Sequence, residues 1–200
     1  MATAASGQQT VGATSSLHDR LLDAAWELTC TAGWSEVTMS KLAASTGVSR
    51  QTVYNELGSK PRIGQALVLA ELDSFLAVVA AELDGNDDLV EAIRSAAEKL
   101  LRMARDNPLL HAVLSSAHSG TNELLPLLTT QAEPVIGAAT AVIKERVVER
   151  YPDLGLSEHE LDVALDSIVR LVLSQVMQPG KPPVDTAADV AWIAARVLGR

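Results

Sequence analysis

The chain has 200 residues, 48% hydrophobic, 20% charged and only 3% aromatic, with a formal net charge of -9. That length and apolar share suit one folded unit with a real core, or a small domain fused to a larger one, and charges or prolines interrupt every apolar run before the roughly 18 residues of a membrane span. The single Cys30 excludes an intrachain disulfide and a CxxC metal or redox pair; it suits a reducing cytoplasm and reads as a small core residue.

Residues 1–16, MATAASGQQTVGATSS, carry neither side-chain charge nor a continuous apolar run, so the basic start and hydrophobic centre of a secretory signal are both missing and a flexible tail is expected. Beyond them, apolar residues recur at helical and not alternating spacing, which predicts an all-α protein. Leu17, Leu21, Ala24, Ala25 and Leu28 stripe a first helix, with Ser15 or Ser16 as N-cap and Gly33 as a left-handed C-cap. TMSKLAAST predicts a two-turn helix capped by Thr38, with Met39, Leu42 and Ala43 facing inward and Gly47 after its end. GVSRQTVYNELGSK, residues 47–60, predicts a short polar helix with Ser49 as N-cap, Val53 and Leu57 buried and Gly58 closing it. Two short helices joined by a tight glycine turn, under a longer covering helix, form a helix-turn-helix head, with Ala43 at the close approach and Val48 as plug.

Past Ser59 the pattern changes to long helices over 60–83, 87–106, 108–118, 122–150 with kinks near Pro126 and Pro134, 157–177 and 185–198. The breaks at DGNDD, NP, SGTN, YPDLG and QPGKPP have turn chemistry. About nine helices result, divided into a tail at 1–16, a head at 17–59 and a body at 60–200, with the 60–83 helix linking head to body. Charge follows the same division. Residues 1–64 hold five basic and five acidic side chains, so the rest carries the whole of the -9; within 37–64, Lys41, Arg50, Lys60 and Arg62 face a single acid, Glu56. A locally positive face on an acidic molecule suits one end approaching phosphate.

LLDAAWELTCTAGWSEVTMSKLAASTGVSRQTVYNELGSK, residues 21–60, resembles the tetracycline-repressor (TetR) family of bacterial transcription regulators. The resemblance rests on DAA in the first helix, an aromatic after Gly33, Thr38 ahead of the second helix, Leu42 with Ala43, Gly47 to Ser49, Thr52 to Tyr54, and Lys60 opening the fourth helix. Leu57 replaces the family's usual aromatic, which is expected to change packing, and Pro61 follows Lys60, acceptable in a first helical turn. The resemblance implies a homodimer whose heads enter successive major grooves of a palindromic operator, with repression as the family default, and a body that binds a small ligand. Carried over residue by residue, Arg50, Gln51, Thr52 and Asn55 are expected to read base edges, Arg50 at guanine and Gln51 or Asn55 at adenine. Thr38, Ser49, Tyr54 and Lys60 are expected on phosphates, helped by the helix N-termini at Thr38 and Lys60. The plainer alternative makes Arg50 and Lys60 solvated charges and Tyr54 a ring capping the head's core; Glu56 beside Asn55 opposes a phosphate there.

In the body, Leu161, Ala164, Leu165, Ile168, Leu171, Val172, Gln175 and Val176 share one face, and Ala187, Val190, Ala191, Ala194, Val197 and Leu198 another. These are expected to form a two-fold four-helix dimer interface, packing on their own body being the alternative. Candidate pocket residues are Leu72, Phe75, Leu76, Leu100, Met103, Leu110, Leu114, Leu128, Ile136 and Val172, although an ordinary core would be lined the same way. So apolar a site suits a fatty acyl chain or another elongated hydrophobe, and YNELGSKPRIGQALVLAELDSFL with NPLLHAVL and LLPLLTT is similar to a TetR subgroup associated with alkane and fatty-acid metabolism. His111 and His118 lie two helical turns apart, about 10 Å, too far to share a metal without bending; His111 is read as a polar handle at the pocket mouth, or else a satisfied, partly buried histidine. No GxSxG, HExxH, phosphate-binding glycine loop or paired cysteines occur, so neither an enzyme nor a metal or other cofactor is expected. A protein-interaction module that lost DNA binding is the rival reading.

Overall fold

The computed structural model describes residues 16–115 and 124–199, which form ten α-helices and one 3-10 turn with no strand. The helices are α1 (Leu17–Ala32), α2 (Met39–Thr46), α3 (Arg50–Leu57), α4 (Lys60–Gly85), α5 (Leu89–Asp106), α6 (Pro108–Ser115), α7 (Leu125–Leu128), α8 (Glu133–Arg150), α9 (Glu158–Met177) and α10 (Pro183–Val197), with the 3-10 turn at Trp34–Glu36.

Local chemistry accounts for the head's boundaries. Ser16 Oγ accepts from the Asp19 amide at 3.1 Å while the Asp19 carboxylate accepts from the Ser16 amide at 3.1 Å, a closed capping box that also holds the Asp19 carboxyl below its ordinary value. Gly33 does end α1, but at φ 90° and ψ 157°, not in the left-handed helical conformation expected of it. The chain must turn straight into the 3-10 turn, and only glycine tolerates that backbone. Gly47, by contrast, is left-handed at φ 73° and ψ 28° and closes α2 through its amide to Ala43.

The body departs from expectation at 122–150. It is not one kinked helix: α7 ends at Leu128, and α8 starts afresh at Glu133 with Pro134 in its first turn. There a missing N–H costs nothing, so the proline begins a helix instead of bending one; this break makes ten helices of the expected nine. Pro183 likewise starts α10 two residues ahead of the expected boundary. His118, and the start of that expected helix, fall outside the described residues.

Two buried clusters result. One fuses head to body, joining Leu21, Leu42, Val53 and Leu57 to Ile63, Leu109, Val113 and Leu124. The other joins Leu83, Leu89 and Val147 to Leu161, Leu165, Ala187 and Val190. α4 runs through both, 26 residues or about 39 Å at 1.5 Å each. Buried Tyr151 secures its far end, the phenol lying 2.8 Å from the Leu83 carbonyl and 2.7 Å from that of Asn86.

This packing corrects the expected dimer faces. Leu161, Ala164, Leu165 and Ile168 are buried within the chain's own body, and Ala187, Val190, Ala191 and Ala194 on α10, with Leu198 at its C-cap, are buried where α10 packs on α5. The alanines let α5 and α10 approach closely, so these faces are used before any partner arrives. Left outward are Val163 on α9 and Val184, Trp192 and Val197 on α10; Trp192 is 61% exposed, with the Arg196 guanidinium 4.8 Å over its ring. Among the described residues, no helix is long and apolar enough to cross a membrane.

Candidate nucleic-acid interface and ligand cavity

α3 is held from below and left open above. Val53 (fully buried) and Leu57 seat it on α1 and α2, and Leu57 fills the core position where the family's aromatic was expected. Ser49 Oγ caps it, accepting from the Thr52 amide at 3.1 Å and lying 2.9 Å from Thr52 Oγ1. Arg50, Gln51, Tyr54 and Asn55 then fall on one exposed face, as positions i, i+1, i+4 and i+5 of a helix must. Gln51 Nε2 donates to Asn55 Oδ1 at 3.0 Å, so two predicted base readers are already mutually oriented. Tyr54 is 46% exposed and does not serve as a lid on the core. Thr38 caps α2, accepting from the Lys41 amide at 3.2 Å, and Arg20 ties α1 to the end of α2 through the Thr46 carbonyl at 3.1 Å.

The positive charges are less uniform than a count suggests. Lys41 pairs with Glu36, which lies just outside the basic stretch and whose carboxyl is held below its ordinary value by that lysine. Lys60 sits 5.0 Å from the centre of the buried Trp34 ring, with Nζ 3.4 Å from the Ser35 carbonyl. The start of α4 is thereby pinned to the 3-10 turn. Among the described residues no carboxylate pairs with Arg50 or Arg62, and both are exposed.

The body encloses a cavity of about 180 Å³ walled by α4 to α9. Leu72, Phe75, Leu76, Leu100, Leu110, Leu128, Ile136 and Val172 line it as predicted, while Met103, His111 and Leu114 do not. His111 is exposed, its Nε2 2.6 Å from the Arg105 carbonyl, so it spends its N–H on the end of α5 and is no handle at the cavity. Met103 and Leu114 are half-buried near the ends of their helices: apolar spacing marks an inward face without saying how far a cavity runs along it. On α4 the lining continues from Val68 to Leu83, fifteen residue steps or about 22 Å of helix, so the cavity is a slot elongated along α4.

Sequence reasoning passed over Glu71, the sole polar side chain among the described residues lining the cavity. Its carboxylate accepts from Asn107 Nδ2, and buried Asn107 in turn caps α6, its Oδ1 accepting from the Leu110 amide at 2.9 Å. Glu71 also approaches α1: the Cys30 thiol is pushed up, first by burial and then by the Glu71 charge. The i, i+3, i+4, i+7 stripe Val68, Leu72, Phe75, Leu76 and Val79 was available to place Glu71 at its edge.

Two family descriptions match. Residues 21–67 match the bacterial regulatory proteins of the tetR family, and residues 88–196 match the bacterial tetracyclin repressor C-terminal domain. The HTH-type transcriptional regulator AlkX of Mycobacterium tuberculosis H37Rv is 33% identical over 176 residues, covering 88% of this chain and 82% of that protein. The crystal structure of AlkX from Dietzia sp. strain DQ12-45-1b, a TetR family repressor implicated in biodegradation of n-alkanes, superposes with a TM-score of 0.75 at 26% identity, covering 92% of this chain and 96% of that one. Nucleoid occlusion factor SlmA of Vibrio vulnificus matches over only 83 residues, 32% identical and 42% of each chain. With a helix-turn-helix head, an all-helical body and matches along both, this chain belongs to the TetR family of DNA-binding transcriptional regulators.

Proposed function

We propose that this protein is a cytoplasmic repressor that binds a palindromic operator as a homodimer and lets go when an elongated hydrophobic molecule, with a chain of fatty-acyl type, occupies its cavity. The division of labour is a DNA-binding head at 17–59 and a ligand-binding and dimerising body at 60–200, with no catalytic role. The observation that carries the reading is the exposed face of α3: Arg50, Gln51 and Asn55 project from a helix anchored by Val53 and Leu57, a geometry suited to a major groove. Arg50, Gln51, Thr52 and Asn55 read base edges, while Thr38, Ser49, Tyr54 and Lys60 contact phosphates. Dimerisation uses the outward faces of α9 and α10 around Val163 and Trp192. The apolar slot, together with the n-alkane association stated for the Dietzia relative, supports a hydrophobic effector.

Fluorescence anisotropy on the operator and on random duplex tests the DNA side. Arg50→Ala is expected to weaken operator binding by about 1 to 3 kcal/mol and random binding little. Equal loss on both would remove Arg50 from base reading.

A further inference from the structure

We propose that Arg62, in the first turn of α4, holds the DNA backbone at the edge of the groove that α3 enters. This rests on the docking of α3 proposed above and adds a contact to it. Arg50, Tyr54 and Gly58 follow at steps of four along one side of α3, and the Gly58 amide, donating to the Tyr54 carbonyl at 3.0 Å, keeps the row helical to its end. Arg50 and Tyr54 are exposed on that row. At Gly58 the place of a side chain is taken by another residue: a Cβ built there would lie 2.9 Å from Arg62 Cδ and 3.5 Å from Arg62 Nη1. The arginine stem is thus laid across Gly58, and its exposed guanidinium extends the row of Arg50 and Tyr54. Gly58 stands eight residues from Arg50, about 12 Å along the helix, which is as far as the major groove is wide. With the start of α3 on base edges, a group at its far end meets the sugar-phosphate rim and not the floor of the groove. A guanidinium there can take a phosphate through two parallel hydrogen bonds. The neighbouring lysines are drawn inward by comparison: Lys41 pairs with Glu36, and half-buried Lys60 lies over the Trp34 ring with Nζ at the Ser35 carbonyl.

The test measures binding of the full chain to the operator and to random duplex across salt from about 50 to 200 mM. Arg62→Gln keeps a stem over Gly58 and removes the charge. It is expected to weaken both duplexes by the same factor and to lower the slope of log affinity against log salt by about 0.9 per bound head, so that the advantage of the wild type shrinks about 3.5-fold per head over that range. Arg62→Lys, which keeps the charge, is expected to restore the slope. Arg146→Gln removes the same charge at the far end of α4, where Arg146 faces Asp84 at 3.6 Å. Asp84 lies about 33 Å along α4 from Arg62, beyond two screening lengths, so slope and affinity are expected to stay as in the wild type. An unchanged slope in Arg62→Gln, an equal fall in Arg146→Gln, or no recovery in Arg62→Lys would each overturn the contact and leave reading by α3 standing. A loss confined to the operator would make Arg62 a reader of bases and overturn its backbone role. A wild type that binds operator and random duplex alike would remove the docking of α3 and this inference with it.

Discussion

Gly64 carries a prediction whose sign is set by packing. A Cβ built at this position in α4 would lie 2.6 Å from Leu124 Cδ2 and 3.3 Å from the Trp34 ring. Both neighbours are almost fully buried, Leu124 at 1% and Trp34 at 3% exposure, so neither can swing into solvent, and Leu124 Cδ2 can yield only towards the cavity that Leu124 lines. Replacing a mid-helix glycine by alanine ordinarily gains up to about 1 kcal/mol, whereas forcing a methyl into a packed core costs about 1 to 3 kcal/mol. For Gly64→Ala the clash wins, leaving a net loss of roughly 1 kcal/mol, or about 2 to 4 °C in Tm for a chain of this size. Gly137 in α8 supplies the control, since a Cβ there meets nothing within 4 Å; Gly137→Ala is expected to gain about 0.5 to 1 kcal/mol. Denaturant melts of the two variants beside the wild type decide the matter. Stabilisation by both alanines would refute the close approach of α4, the 3-10 turn and Leu124. Because Leu124 also lines the cavity, Gly64→Ala is further expected to change how strongly an effector is felt at the head, readable as altered operator release.

Thr140 Oγ1 is buried with no hydrogen-bond partner among the described residues. Thr140→Val should therefore be neutral to stabilising, by up to about 1 kcal/mol, and a loss of that size in chemical denaturation would mean that the hydroxyl is satisfied. The Glu82 carboxyl is held below its ordinary value of 4.5 chiefly by its hydrogen bonds from Lys99 and then Ser95, and Glu91 is lowered by Arg94. A lowered carboxyl contributes stability above the unfolded value and loses it as pH falls through the folded one. Tm is thus expected to drop below about pH 4.5, and Glu82→Gln to soften that drop; an acid limb identical in the variant would contradict the pairing. Trp192→Glu is expected to shift the protein towards monomer in sedimentation, and an unaltered dimer would move the interface off α10.

What could be read in advance was what is local. Caps at Ser16, Thr38 and Ser49 and the buried pair Val53 and Leu57 depend on residues within a few positions of one another, so the head was legible down to its side chains. The body was legible only as helices. A wide apolar face such as Leu161 to Ile168 states that it is covered without stating by what, and α5, α8 and α10 cover it before any second subunit. Pro134 was ambiguous because a proline kinks an interior turn but starts a first one, and which applies depends on the break at Thr129 to Ala132. Contacts between distant positions left no trace at all: Glu71 on Asn107, and Leu124 against Gly64.

Recovery of bound sequences from a random duplex pool tests the central claim most directly. The wild type is expected to enrich a palindrome whose half-sites face successive major grooves, about 34 to 36 Å apart, and Arg50→Ala to lose base preference within those half-sites while keeping their spacing. A pool that emerges unenriched, or the same palindrome selected undiminished by Arg50→Ala, would contradict sequence reading by α3.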